Sequence, residues 1–262
     1  MNDRGALAGI RALLLDLDGT VFEAGSLVPG VPAALDEVGR LGIARRFVTN
    51  ITTRPRSALA EELHRMGLSV VPREIWTAPM AARELLLTRG WTRCRLLVAD
   101  AVREDLADID EEELSPRAVV LGDLGDDFTY ERLNGAFRAL LAGADLVALG
   151  RNRYFRSGDG LVLDVGAFAA ALEYASGRRA IVVGKPSREF FLSALDSAGV
   201  APGEAAMVGD DLEFDVGAAQ AAGLRGVLVR TGKFRPEDLR HPTLRPDAVI
   251  DSLAGISRLL AR

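Results

Sequence analysis

The sequence predicts an α/β fold built on a parallel sheet covered by helices. Three features carry that reading. Short apolar runs without alternation, such as Ala12 to Leu15, have the pattern of strands buried on both faces. Stretches with helical apolar spacing follow them, as at Leu35, Val38 and Leu41. Acidic, hydroxyl or glycine residues end several of the apolar runs, where open parallel sheets bind ligands.

Each predicted element has a local reason. Ala12 to Leu15 reads as the first strand, Pro32 to Leu41 as a helix, and Ala44 to Val48 as the second strand. Arg54 to Met66 reads as a helix with Pro55 in its first turn, an apolar stripe of Leu59, Leu63 and Met66, and a stop at Gly67. Met80 to Arg89 is helical in pattern and Arg95 to Ala99 strand-like. The acidic tract Glu104 to Glu113 predicts a solvated helix or loop. Arg117 to Leu121 and Leu146 to Leu149 read as strands around a helix at Tyr130 to Leu141. Gly158-Asp159-Gly160 predicts a turn, and Val165 to Tyr174 a helix. The first rhythm then returns, with strands at 181–183, 205–208 and 226–229 and helices at 189–198 and 216–222. Leu253 to Leu260 predicts a closing helix.

Composition removes several functions. The chain has 262 residues, 48% hydrophobic and 26% charged, enough for a large buried core. A net charge of −5 argues against nucleic acid as a partner. One cysteine, Cys94, excludes an intramolecular disulfide and a cysteine-rich zinc site, and two histidines, His64 and His241, exclude a multi-histidine metal centre. The longest uncharged stretch, Ala24 to Leu35, is 12 residues with two prolines, too short to span a bilayer. The start Met1-Asn2-Asp3-Arg4 lacks a signal-peptide pattern, so a soluble, cytoplasmic protein without membrane partners is expected. Lysine is rare: Lys185 and Lys233 stand against thirty arginines. A GC-rich genome explains the bias. A lysine that survives it marks a place where a compact ammonium is needed.

Four short segments carry chemistry. Asp16-Leu17-Asp18-Gly19-Thr20 follows the first strand. Two carboxylates so close need a cation or a shared proton, and hard oxygen donors suit Mg²⁺; an acidic turn is the alternative. Val48-Thr49-Asn50 offers a hydroxyl, an amide and backbone N–H groups to phosphate oxygens, or simply makes a turn. Gly184-Lys185-Pro186-Ser187 places the rare lysine after a strand. In Gly209-Asp210-Asp211-Leu212-Glu213-Phe214-Asp215, carboxylates again gather at a strand end, where Asp210 or Asp211 can also cap a helix.

In these four segments and their order the chain resembles the haloacid dehalogenase superfamily, and within it the subfamily IIA phosphatases. The stretches Asp159 to Gly166, Ala171 to Ala175 and Val229 to Arg235 are similar to one member group, and the resemblance covers essentially the whole chain. It implies a Rossmann-like parallel-sheet core formed by 1–77 and 181–262, with an inserted α/β cap at 78–180. It also implies hydrolysis of a small phosphorylated substrate. Asp16 would be the nucleophile. Asp18 would be the acid that protonates the leaving oxygen and then the base that activates water. Mg²⁺ would be held by Asp16, the Asp18 carbonyl and Asp210, with Asp211 and Asp215 behind them. Thr49, Asn50 and Lys185 would hold the phosphate. In the cap, Arg151, Asn152, Arg153 and Tyr154 are candidate substrate contacts, and Asp126, Asp127 or Asp159 could select a cationic leaving group. Pairing through the cap would make a homodimer. A metal-independent dehalogenase and a receiver-like phosphate-binding switch are the competing readings. Asp18 and the acidic fourth segment oppose the first, and the cap and the order of segments oppose the second.

Overall fold

The computed structural model describes residues 5–158 and 160–260. Asp159 therefore lies outside the described residues, as do residues 1–4. The described chain divides into two compact units. The first comprises the residues up to Thr49, Ser57–Trp76 and those from Lys185 on; the second comprises Asn50–Arg56 and Thr77–Gly184. The expected limits shift in three places: residues 50–56, Thr77 and residues 181–184 fall in the second unit. The strand Ala180–Val182, expected to reopen the core, pairs instead with Asp145–Ala148 in the second unit's sheet. A strand three residues long carries no periodicity that names its partner; non-local pairing decides it.

The first unit holds a six-stranded sheet in the order Ala248–Ile250, Arg225–Val229, Ala205–Gly209, Ala12–Asp16, Ala44–Thr49, Ile75–Thr77. Ala12–Asp16 pairs in parallel with Ala205–Gly209 on one side and Ala44–Thr49 on the other. Chain order thus reverses around the central strand, and its carboxyl end is the position where open α/β sheets bind ligands. Every residue of the two central strands Ala12–Asp16 and Ala205–Gly209 is buried, which explains their continuous apolar sequence. The helix Val31–Arg40 starts after Gly30, whose φ of 84° suits glycine, and buries Val31, Ala34, Leu35 and Val38.

The second unit holds a five-stranded sheet in the order Ala180–Val182, Asp145–Ala148, Ala118–Leu121, Arg93–Leu97, Asp110–Glu111, all paired in parallel. Helices Tyr130–Leu141 and Val165–Ser176 pack on its apolar face. The acidic tract becomes a 3₁₀ helix, Asp100–Leu106, and a two-residue edge strand. The turn at Gly158 joins an antiparallel hairpin, Tyr154–Ser157 with Gly160–Leu163, that the sequence pattern did not predict. Nor did it predict the short strands Ile75–Thr77 and Ala248–Ile250.

Candidate active site

The sheet register sets the site. Leu15 is level with Phe47 and Val208, so Asp16, Thr49 and Asp210 emerge at one edge of the first unit's sheet. The strand ends at Asp16, and Gly19, with φ 86°, turns the chain back. Asp16 and Asp18 therefore do not share a strand face: Asp16 is buried, whereas Asp18 is exposed on the loop. Thr49 is buried at the end of its strand. Asn50 follows it directly, and its amide oxygen lies against Gly184, leaving no room there for a side chain.

Lys185 ties the acidic segments together. Its ammonium donates to Asp16 Oδ1 and, at 2.7 Å, to Asp215 Oδ1. It is 5% exposed, and Asp215 is 1% exposed. Burial opposes the lysine's charge, but Asp16 and Asp215 outweigh burial and hold its pKa above the ordinary value. Asp16 is itself pushed upward by burial, with Lys185 pulling against it. Burial pushes Asp215 up to about 6, again offset in part by Lys185.

The Asp210–Asp215 segment splits its duties. Asp211 accepts from the backbone N–H groups of Glu213 and Phe214, so it caps the π-helical turn Leu212–Gly217 that precedes the short helix Ala218–Ala221. Its other oxygen pairs with Lys233 Nζ at 3.5 Å. Asp215 Oδ2 accepts from the Asp211 N–H at 3.3 Å. Asp210 is 1% exposed. Its Oδ2 accepts from the Lys233 N–H at 2.7 Å, and its Oδ1 is buried without a hydrogen-bond partner. Burial pushes Asp210 up to about 6, with the Lys233 N–H opposing the shift.

These residues fit a hard divalent cation. Carboxylate oxygens of Asp16, Asp210 and Asp215 lie within 4.8 Å of one another. Three buried carboxylates stand against one buried ammonium, which pairs with Asp16 and Asp215, and this leaves negative charge to be compensated. The orphaned Asp210 Oδ1 is the donor such an ion would engage, and an all-oxygen set suits Mg²⁺.

The cap candidates have structural partners in the second unit. Arg151 makes a two-pronged pair with Glu173, at 3.1 and 2.8 Å. The Asn152 side chain hydrogen-bonds Asp164, which caps the helix Val165–Ser176. The Arg153 guanidinium lies over the exposed Tyr154 ring, 5.7 Å from its centroid. Asp126 and Asp127 are exposed in a 3₁₀ turn. Residue type alone gives Lys233 no role, yet its backbone N–H grips Asp210.

Known proteins similar to this chain show its family. The chain is 42% identical over 260 residues to human phospholysine phosphohistidine inorganic pyrophosphate phosphatase, covering 97% of this chain and 95% of that protein. The chain belongs to the haloacid dehalogenase-like hydrolase family. The family model described as haloacid dehalogenase-like hydrolase matches residues 13–112, and a second, HAD-hydrolase-like, matches residues 182–256. Human haloacid dehalogenase-like hydrolase domain-containing protein 2 is 43% identical over 233 residues, 89% of each chain. Among solved structures, a 4-nitrophenylphosphatase from Thermotoga maritima superposes with a TM-score of 0.88 at 31% identity, covering 97% of this chain and 98% of that one. NagD from E. coli K-12 gives 0.86 at 26%, covering 94% and 97%. The HAD-like family thus spans both units.

Proposed function

We propose that the protein is a Mg²⁺-dependent phosphatase that hydrolyses a small phosphorylated substrate through an aspartyl-phosphate on Asp16. Its relatives and structural neighbours make it an enzyme of the haloacid dehalogenase phosphatase type. The observation that carries the metal reading is the buried cluster of Asp16, Asp210 and Asp215, with Asp210 Oδ1 unpartnered.

Asp16, Asp210 and the Asp18 carbonyl would hold the ion, which supplies charge neutralisation between an anionic nucleophile and an anionic phosphoryl group. Asp16, fixed by Lys185, attacks phosphorus; its bond to phosphorus forms as the bond to the leaving group breaks. Asp18, exposed on the loop, gives its proton to the leaving atom. It then takes a proton from water as that water attacks the aspartyl-phosphate, releasing phosphate and restoring Asp16. Thr49 and the Asn50 N–H hold phosphoryl oxygens, and Lys185 balances charge on Asp16 and the phosphoryl group. Lys185 is pinned between Asp16 and Asp215, a geometry that a forked guanidinium does not reproduce. Positioning and electrostatics dominate phosphoryl transfer, so this set suffices in kind. The dehalogenase and receiver-like readings are not favoured: the human relative at 42% identity and the Thermotoga maritima neighbour are named phosphatases, and the match runs through both units.

The substrate class is a phosphate ester, a phosphoamidate or pyrophosphate, with Arg151, Asn152 and Tyr154 as candidate selecting residues. The relative at 42% identity is named for phospholysine, phosphohistidine and pyrophosphate, so P–N and P–O–P bonds come first in a test. A cytoplasmic setting belongs to the same proposal, in keeping with a single cysteine that is free and buried. A panel of phosphohistidine, phospholysine, pyrophosphate and phosphorylated metabolites, assayed with Mg²⁺, tests the reading. Turnover of at least one class is expected. No phosphate release from any of them, or from an aryl phosphate, contradicts it.

A further inference from the structure

One loop of the first unit supports the carboxylate cluster from outside. It follows the strand Arg225–Val229 and runs from Thr231 to Lys233. Thr231 Oγ1 donates to the Gly19 carbonyl, on the turn just after Asp18. The Gly232 N–H donates to Glu23 Oε1 at 2.9 Å. The Lys233 N–H donates to Asp210 Oδ2 at 2.7 Å. Gly19 and Gly232 press together over Asp210: a Cβ on either would overlap Asp210 Oδ2, and both have positive φ, 86° and 62°. Asp210 is thus held at one oxygen and walled in by two glycines, while its other oxygen stays buried and unpartnered.

We propose that Thr231–Lys233 is a positioning strap that aims Asp210 Oδ1 at the cation, with Thr231 the side chain that locks it. The inference rests on the Mg²⁺ reading above. The strap works through geometry: a carboxylate with one oxygen fixed cannot rotate its second oxygen away from the ion. Thr231 joins the strap to the turn that carries Asp18, so the two sources of metal ligands keep one spacing. The Lys233 contribution comes from its backbone, so its side chain is not required for aiming.

The test is Mg²⁺ binding by the full chain, followed by calorimetry without substrate, with melting temperature recorded in parallel. Thr231→Val removes the donor at nearly constant volume. It is expected to weaken Mg²⁺ binding about tenfold, the range typical of lost outer partners, with little change in metal-free melting. Thr231→Ser is expected to restore affinity. Glu23→Ala, at an exposed position, cuts the strap's middle tie and keeps the test informative if Thr231→Val folds poorly. It is expected to weaken Mg²⁺ binding, whereas Glu23→Gln, which keeps the acceptor and loses the charge, is expected to bind as wild type. Wild-type affinity in both Thr231→Val and Glu23→Ala overturns the strap and leaves the Mg²⁺ reading standing. Absence of Mg²⁺ binding in the wild type overturns both.

Discussion

Each unit has a sheet of parallel strands, but the two treat buried charge differently. In the second unit, Asp105 is the one buried charged residue among those described, and it is balanced. The Arg56 guanidinium meets its Oδ1 at 2.9 Å, and the Arg56 N–H meets its Oδ2 at 2.9 Å. In the first unit, three buried carboxylates, Asp16, Asp210 and Asp215, stand against the single buried ammonium of Lys185, which pairs with Asp16 and Asp215. A balanced pair holds structure together. An unbalanced cluster needs a further cation. Burial of a charge therefore does not mark a site; burial without compensation does.

The comparison can be broken at either end. The largest effect is expected for Asp16→Asn, which removes the nucleophile: turnover falls by on the order of 10⁴-fold or more, while melting shows a folded protein. A substantial residual rate would show that another group attacks phosphorus. Lys185→Arg keeps the charge but changes its shape. A loss on the order of 10²-fold in kcat is expected, measured with an aryl phosphate. Near-full activity would return the rarity of lysine to genome composition alone. Asp105→Ala sharpens the contrast. Stability falls by about 3 kcal/mol because Arg56 loses its partner, read by denaturant unfolding, while Mg²⁺ affinity stays at the wild-type value. A shift in Mg²⁺ affinity would mean the balanced pair serves the site as well.

The smallest effect concerns Cys94. Its thiol donates to the Trp91 carbonyl at 3.2 Å, and burial pushes its pKa up to about 11. At pH 8 it stays protonated, so a thiol reagent should label it only when the chain unfolds. Rapid labelling of the folded protein would contradict that.

Much of the site was legible because Asp16, Lys185 and Asp210 each stand just beyond an apolar run that becomes a strand or a strand end. The direction of Asp18 was not, because it depends on where the strand stops, and the turn at Gly19 ends it early. Asp211 was ambiguous in sequence, since capping a helix and standing behind a metal use the same side chain; the structure shows the cap. The grip of Lys233 on Asp210 runs through a backbone N–H, which leaves no mark in residue type. Among the strands, Ala12–Asp16 and Ala205–Gly209 announced themselves by unbroken burial. The hairpin Tyr154–Ser157 with Gly160–Leu163 did not, because apolar Tyr154, Phe155, Leu161, Val162 and Leu163 are all exposed on it and no in–out alternation results. Ala180–Val182 was readable as a strand, but its partner was fixed by pairing across the chain rather than by local sequence.

The most direct test of the central claim is hydrolysis of 4-nitrophenyl phosphate by the wild type and by Asp16→Asn, each with Mg²⁺ and after chelation. Release of nitrophenol is predicted only for the wild type with Mg²⁺. A rate that survives chelation in the wild type, or that persists in Asp16→Asn, would contradict the account.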